Sequence, residues 1–64
     1  MIKVNGEEKN YVNCNILELI DNIELDKNRI VVEVNKVIIP RTQFDNYTLQ
    51  DKDVVEIVHF VGGG

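Results

Sequence analysis

The chain has 64 residues with 44% hydrophobic content, enough for one domain with a small core and little room for an enclosed ligand cavity. Its formal net charge of −4 and scattered basic residues argue against a nucleic-acid partner, and no apolar run approaches the roughly 18 residues of a membrane span. The single cysteine cannot form an internal disulfide, and the opening Met1-Ile2-Lys3-Val4-Asn5-Gly6 lacks an apolar signal region, so a cytoplasmic protein is expected.

Residues 1–4 alternate apolar and polar side chains and read as a first strand. Asn5-Gly6 is a strong hairpin signal, and residues 9–12 read as a return strand despite the poor strand formers Lys9 and Asn10. Asn15 followed by Glu18 has the spacing of a capping box. Ile16, Leu19, Ile20 and Ile23 then fall on one helical face, with Leu17 at its edge and Glu18, Asp21, Asn22 and Glu24 opposite. This predicts a helix over 16–24.

Residues 30–35 are rich in β-branched side chains and predict a central strand. Ile30, Val32 and Val34 share one face, with Val31 and Glu33 on the other. Asn35-Lys36 marks a turn, and Val37-Ile38-Ile39 forms a short strand that Pro40 ends. Residues 41–49 are irregular, anchored by Phe44, Tyr47 and Leu49, and residues 54–61 predict the last strand. The order β-β-α-β-β-β predicts a β-grasp arrangement, with one helix on a mixed sheet of about five strands and parallel first and last strands. The expected core is Ile2, Val4, Ile16, Leu19, Ile20, Ile23, Val32, Val34, Val55 and Ile57. The expected division is a folded domain over 1–61 and a flexible glycine tail over 62–64.

That tail, Gly62-Gly63-Gly64, is the main candidate for function. Glycine removes all side-chain bulk, so a terminal carboxylate on Gly64 is expected to form the tip of a thin arm able to enter another protein's active site, the competing readings being a frayed terminus or a simple tether. A carboxylate is a poor electrophile and needs activation, most simply by adenylation. The chain lacks a phosphate cradle of its own, so ATP would be used by a partner and no bound cofactor is expected. Beside the tail, Val58 and Phe60 should lie with Glu56 on the sheet face opposite the helix, where exposed apolar side chains point to partner docking. Cover by residues 41–49 is the competing explanation for that pair.

Other residues carry weaker signals. Cys14 lies among asparagines without a nearby histidine and reads as a small packed side chain rather than a reactive thiol. His59 lacks a nucleophile and carboxylate around it and reads as a solvated strand residue. Glu7, Glu8, Asp51 and Asp53 read as turn and surface charges, and Arg41 as either a partner contact or a surface residue. No spacing of His, Cys, Asp and Glu predicts a metal site.

The order of short motifs resembles the ThiS family, the sulfur-carrier proteins of thiamine biosynthesis, which are ubiquitin-like β-grasp proteins. The matching pieces are Ile2-Lys3-Val4-Asn5-Gly6-Glu7, Asn15-Ile16-Leu17-Glu18-Leu19-Ile20, Val32-Glu33-Val34-Asn35 and Ile39-Pro40-Arg41. Residues 49–58, Leu-Gln-Asp-Lys-Asp-Val-Val-Glu-Ile-Val, and the ending Val61-Gly62-Gly63-Gly64 complete them. Lys36 and Lys52 depart from the family by standing where glycine is common in turns, and would add strain if those positions need positive φ.

The resemblance implies that a ThiF-like adenylyltransferase joins AMP to the Gly64 carboxylate. Sulfur from a persulfide donor such as a cysteine desulfurase then converts it to a thiocarboxylate, which serves a ThiG-like thiazole synthase. In that scheme the chain is a carrier rather than an enzyme. Gly62 and Gly63 give clearance, and Val58, Phe60 and Val61 form the docking surface. The alternatives are the small subunit of molybdopterin synthase, which uses the same chemistry, and a ubiquitin-like modifier joined to lysines.

Overall fold

Asn5 and Gly6 both adopt left-handed backbone, with φ of 50° and 84°. Two successive positive φ values make the tight turn whose twist matches that of paired strands. The turn fixes the register at Val4↔Glu7, Lys3↔Glu8 and Ile2↔Lys9. The return strand is therefore Glu7–Lys9, starting directly after the turn, rather than the expected 9–12. Turn geometry sets this register and overrides the low strand preference of Glu and Lys.

The computed structural model describes residues 1–11 and 13–60. Its strands are β1 (Ile2–Val4), β2 (Glu7–Lys9), β3 (Ile30–Val34), β4 (Val37–Ile39) and β5 (Val54–His59), and its helix is α1 (Ile16–Asn22). Two short 3-10 turns, Lys27–Arg29 and Arg41–Gln43, were not expected from the sequence, because a single turn is too short to show a periodicity.

The capping box at the start of α1 forms as the spacing predicts. The Asn15 side chain accepts from the Glu18 amide at 2.8 Å, and the Glu18 carboxylate accepts from the Asn15 amide at 2.9 Å. The helix stops at Asn22, short of the expected 24. Glu24 takes φ 59°. The Leu25 amide then returns to the Ile20 carbonyl at 3.1 Å and the Glu24 amide to the Asp21 carbonyl at 3.2 Å. This is the double hydrogen-bonded helix ending usually built on glycine, here built on glutamate.

Asn35 and Lys36 repeat the two-residue turn with φ of 52° and 70°, joining β3 to β4 at Val34↔Val37. The sheet order is β2-β1-β5-β3-β4. As expected, β1 and β5 run parallel, paired at Lys3↔Val54 and Val4↔Val55. The other neighbours are antiparallel.

Alternation along the strands sends Ile2, Val4, Ile30, Val32, Val34, Ile39, Val55 and Ile57 toward Ile16, Leu19 and Ile20 of α1. Phe44 and Leu49 complete this core from the irregular segment. Ile23, expected in the core, is only partly buried at its margin. The architecture is a β-grasp: a five-stranded mixed sheet with its one main helix on a single face.

Candidate functional site

The strand that leads into the glycine terminus is held from both sides by turn asparagines. On the β1 side, the Asn5 amide donates to the Val55 carbonyl at 2.9 Å. The Asn5 side chain then accepts from the Ile57 amide at 2.7 Å and donates to the Ile57 carbonyl at 3.2 Å. On the β3 side, the Asn35 amide donates to the Val54 carbonyl at 2.7 Å, and the Asn35 side chain accepts from the Val54 amide at 2.9 Å. Asn35 also donates to Asp53 at 3.1 Å. Side-chain oxygens and amides thus extend the backbone ladder past the ends of β1 and β3.

The phase of β5 decides what the open face presents. Val55 and Ile57 are buried, so Val54, Glu56 and Val58 face away from α1. The strand ends at His59; the last residue of the expected 54–61 run lies outside the described residues, and the Phe60 amide still bonds the Arg29 carbonyl at 3.0 Å. Val58 is 57% exposed and Phe60 44% exposed, so residues 41–49 do not cover them. That segment instead lies against the start of α1, where the Ile16 and Leu17 amides donate to the Tyr47 and Phe44 carbonyls at 3.1 and 3.2 Å.

Pairing adds residues to this face that sequence reading alone did not bring together. Val31 lies opposite Val58, and Glu33 lies opposite both Glu56 and Ile38. Ile38 is 62% exposed and Val54 is 43% exposed. Strand alternation already placed Val31 and Glu33 together, but their partners depend on a register that only the fold reveals. Val61, Gly62, Gly63 and Gly64, the remaining docking and carrier candidates, lie outside the described residues, as does the expected boundary between domain and tail.

The remaining candidates do not assemble into a reactive site. Cys14 is half-buried, and its thiol donates to the Tyr11 carbonyl at 3.2 Å. Burial, followed by the nearby Glu18 carboxylate, pushes its pKa up and disfavours the thiolate, against a smaller opposing backbone hydrogen bond. His59 is an exposed strand residue. The Arg41 guanidinium donates to the Asn28 side chain at 3.1 Å, away from β5. Asp51 bonds the Met1 amino group, and that contact holds its carboxyl below the usual range. An open groove of about 360 Å³ beside α1 is lined by Leu17, Ile20, Leu25 and the polar Asp21, Asp26, Lys27 and Asn28. Among the described residues, no group of His, Cys, Asp and Glu has the arrangement of a metal site, and no helix is long and apolar enough to cross a membrane.

A strand clamped within a mixed sheet, backed by one helix and followed by three glycines, defines a ubiquitin-like β-grasp protein. The sequence pattern of the ThiS family matches residues 2–64, and the chain belongs to that family. It is 38% identical over 66 residues to the sulfur carrier protein ThiS of Bacillus subtilis, with 100% of both chains covered. A thiazole synthase of Paramagnetospirillum magneticum contains a segment 34% identical to this chain over 62 residues, covering 95% of this chain and 19% of that protein. The crystal structure of the thiamine biosynthesis protein ThiS from Geobacter metallireducens superposes with a TM-score of 0.79 at 31% identity, covering 98% of this chain and 97% of that one.

Proposed function

We propose that this chain is a sulfur carrier of thiamine biosynthesis that is loaded on the carboxylate of Gly64. The observation that carries this reading is the full-length similarity to the Bacillus subtilis sulfur carrier, on a β-grasp fold whose final strand runs toward a glycine terminus. A ThiF-like adenylyltransferase activates Gly64: the carboxylate oxygen attacks the α-phosphorus of ATP, pyrophosphate leaves, and an acyl-adenylate forms. The terminal sulfur of a protein persulfide, supplied by a donor such as a cysteine desulfurase, attacks the acyl carbon and expels AMP. A second thiol cleaves the resulting acyl disulfide and leaves the thiocarboxylate.

The chain is then a protein co-substrate, and its partners hold the catalytic groups. Gly62 and Gly63 let the arm pass through a narrow channel that excludes water. Val58 and Phe60, with Val61, dock the domain on the activating partner. Delivery to a ThiG-like thiazole synthase is supported by proteins of that name in which a domain similar to this chain shares the polypeptide.

Intact mass after incubation with the adenylyltransferase, ATP and sulfide tests the reading. One sulfur-for-oxygen exchange is expected, and deletion of Gly63-Gly64 abolishes it. Protein-sized conjugates in its place overturn carriage in favour of a modifier. Rescue of a strain lacking the protein by thiazole, and not by molybdopterin, assigns the pathway.

A further inference from the structure

On the open sheet face, Glu33 of β3 lies directly across from Glu56 of β5. The phase of the ladder is fixed by the Asn35 amide on the Val54 carbonyl and the Phe60 amide on the Arg29 carbonyl. Glu33 and Glu56 are therefore a hydrogen-bonded pair, with Cα atoms about 5.5 Å apart. Like charges at this spacing oppose pairing. Neither carboxylate forms a salt bridge among the described residues.

The pair sits within a largely apolar frame, with Lys3 of β1 opposite Val54 at its edge and bonded to neither carboxylate among the described residues. Val31 and Val58 form the next cross-strand pair toward Phe60, Val54 lies two residues from Glu56 on the same face, and Ile38 borders Glu33 from β4. Ile38, Val54, Val58 and Phe60 are all exposed. An apolar surface with an unrelieved double carboxylate at its centre is matched by one kind of cover: an apolar protein surface carrying an arginine or lysine that reaches both carboxylates. A second copy of this chain fits poorly, because stacking the two faces would bring four carboxylates together on chains of net charge −4.

We propose that the Glu33–Glu56 pair is the partner-selecting element of this face, and that it receives a basic side chain of the activating adenylyltransferase. This deepens the carrier reading and rests on it for the partner's identity. Binding brings a cation between the carboxylates and relieves their repulsion, so recognition and relief of strain coincide.

The test is calorimetric titration of the full chain into the ThiF-like adenylyltransferase of the same organism, with intact mass after addition of ATP as a second readout. The double variant Glu33→Gln, Glu56→Gln is expected to bind about tenfold more weakly and with a flatter salt dependence. Its melting temperature should equal or exceed that of the native chain, because the repulsion is gone. Equal affinity of variant and native chains overturns the proposal, as does failure of the native chain to bind, or a native dimer that the variant loses in sedimentation. Native binding that the variant loses, without any adenylate formed, sustains the docking element and rejects the carrier reading. Normal adenylation with unchanged affinity does the reverse.

Discussion

The side chain of Asn5 satisfies both backbone polar groups of Ile57, accepting from its amide at 2.7 Å and donating to its carbonyl at 3.2 Å. One residue thus turns the first hairpin and carries the β1–β5 ladder one step beyond the end of β1. Asn5→Gly keeps the positive φ and removes both bonds. It should destabilise the domain by about 2 kcal/mol, from two hydrogen bonds of about 1 kcal/mol each. Denaturant titration measures the loss, and hydrogen exchange should show the Ile57 amide opening sooner. Unchanged exchange at Ile57 would show that water replaces the side chain without loss.

Phe60 offers a way to separate docking from folding. Its side chain is 44% exposed, while its amide holds the Arg29 carbonyl whatever side chain is attached. Phe60→Asp should lower kcat/KM for adenylation by about tenfold. The thermal midpoint should stay close to that of the native chain. Native adenylation kinetics in the variant would remove Phe60 from the docking surface.

Two turns carry avoidable strain. Glu24 ends α1 at φ 59° and Lys36 turns the second hairpin at φ 70°. Left-handed backbone disfavours a side-chain-bearing residue by about 1–2 kcal/mol, partly offset in a glycine variant by its freer unfolded chain. Glu24→Gly and Lys36→Gly should therefore each stabilise the fold by about 1 kcal/mol. The sites lie on separate turns, so the double variant should show nearly the sum of the two gains in its denaturation midpoint. Lys52, at φ 73°, invites the same substitution.

Cys14 supplies a pH prediction. Burial, aided by the Glu18 carboxylate, raises the pKa of its thiol. An acid with a raised folded pKa contributes stability that is present below its unfolded pKa and is lost as pH rises through the folded value. Stability should thus fall on the alkaline side, and Cys14→Ala should remove that part of the pH dependence. Alkylation of Cys14 by iodoacetamide at mildly alkaline pH should be several-fold slower than that of a small free thiol. Sulfur loading of the Cys14→Ala chain should match the native level; loss of loading would assign the thiol a role in transfer.

Much of this architecture can be read from local signals. Asn15 and Glu18 announce the helix start because a capping box lies within four residues, and the β-branched alternation of 30–34 announces the central strand. The β2 strand was expected too late because Glu7, Glu8 and Lys9 have little intrinsic strand preference; the turn recruits them. The helix end was expected too far along because Glu24 occupies a position usually signalled by glycine. Ile30, Ile39, Phe44 and Leu49 join the core through long-range packing, which periodicity within one segment does not reveal. At the site, alternation placed Glu56, Val58 and Phe60 on one face. The juxtaposition of Glu33 with Glu56 required the register between strands separated by more than a helical turn's worth of local information.

The position of β5 between β1 and β3 also bears on how the protein comes into being. It is the last of the five strands to leave the ribosome, yet it occupies the middle of the sheet. Before Val54 is made, the chain holds two separate hairpins and a helix with no strand to join them. Isolated hairpins are marginal in water, so these pieces should gain cooperative stability only when β5 arrives. A synthesis product that stops short of β5 thus lacks the middle of the sheet, making completion of that strand a built-in check on which chains present the open face at all.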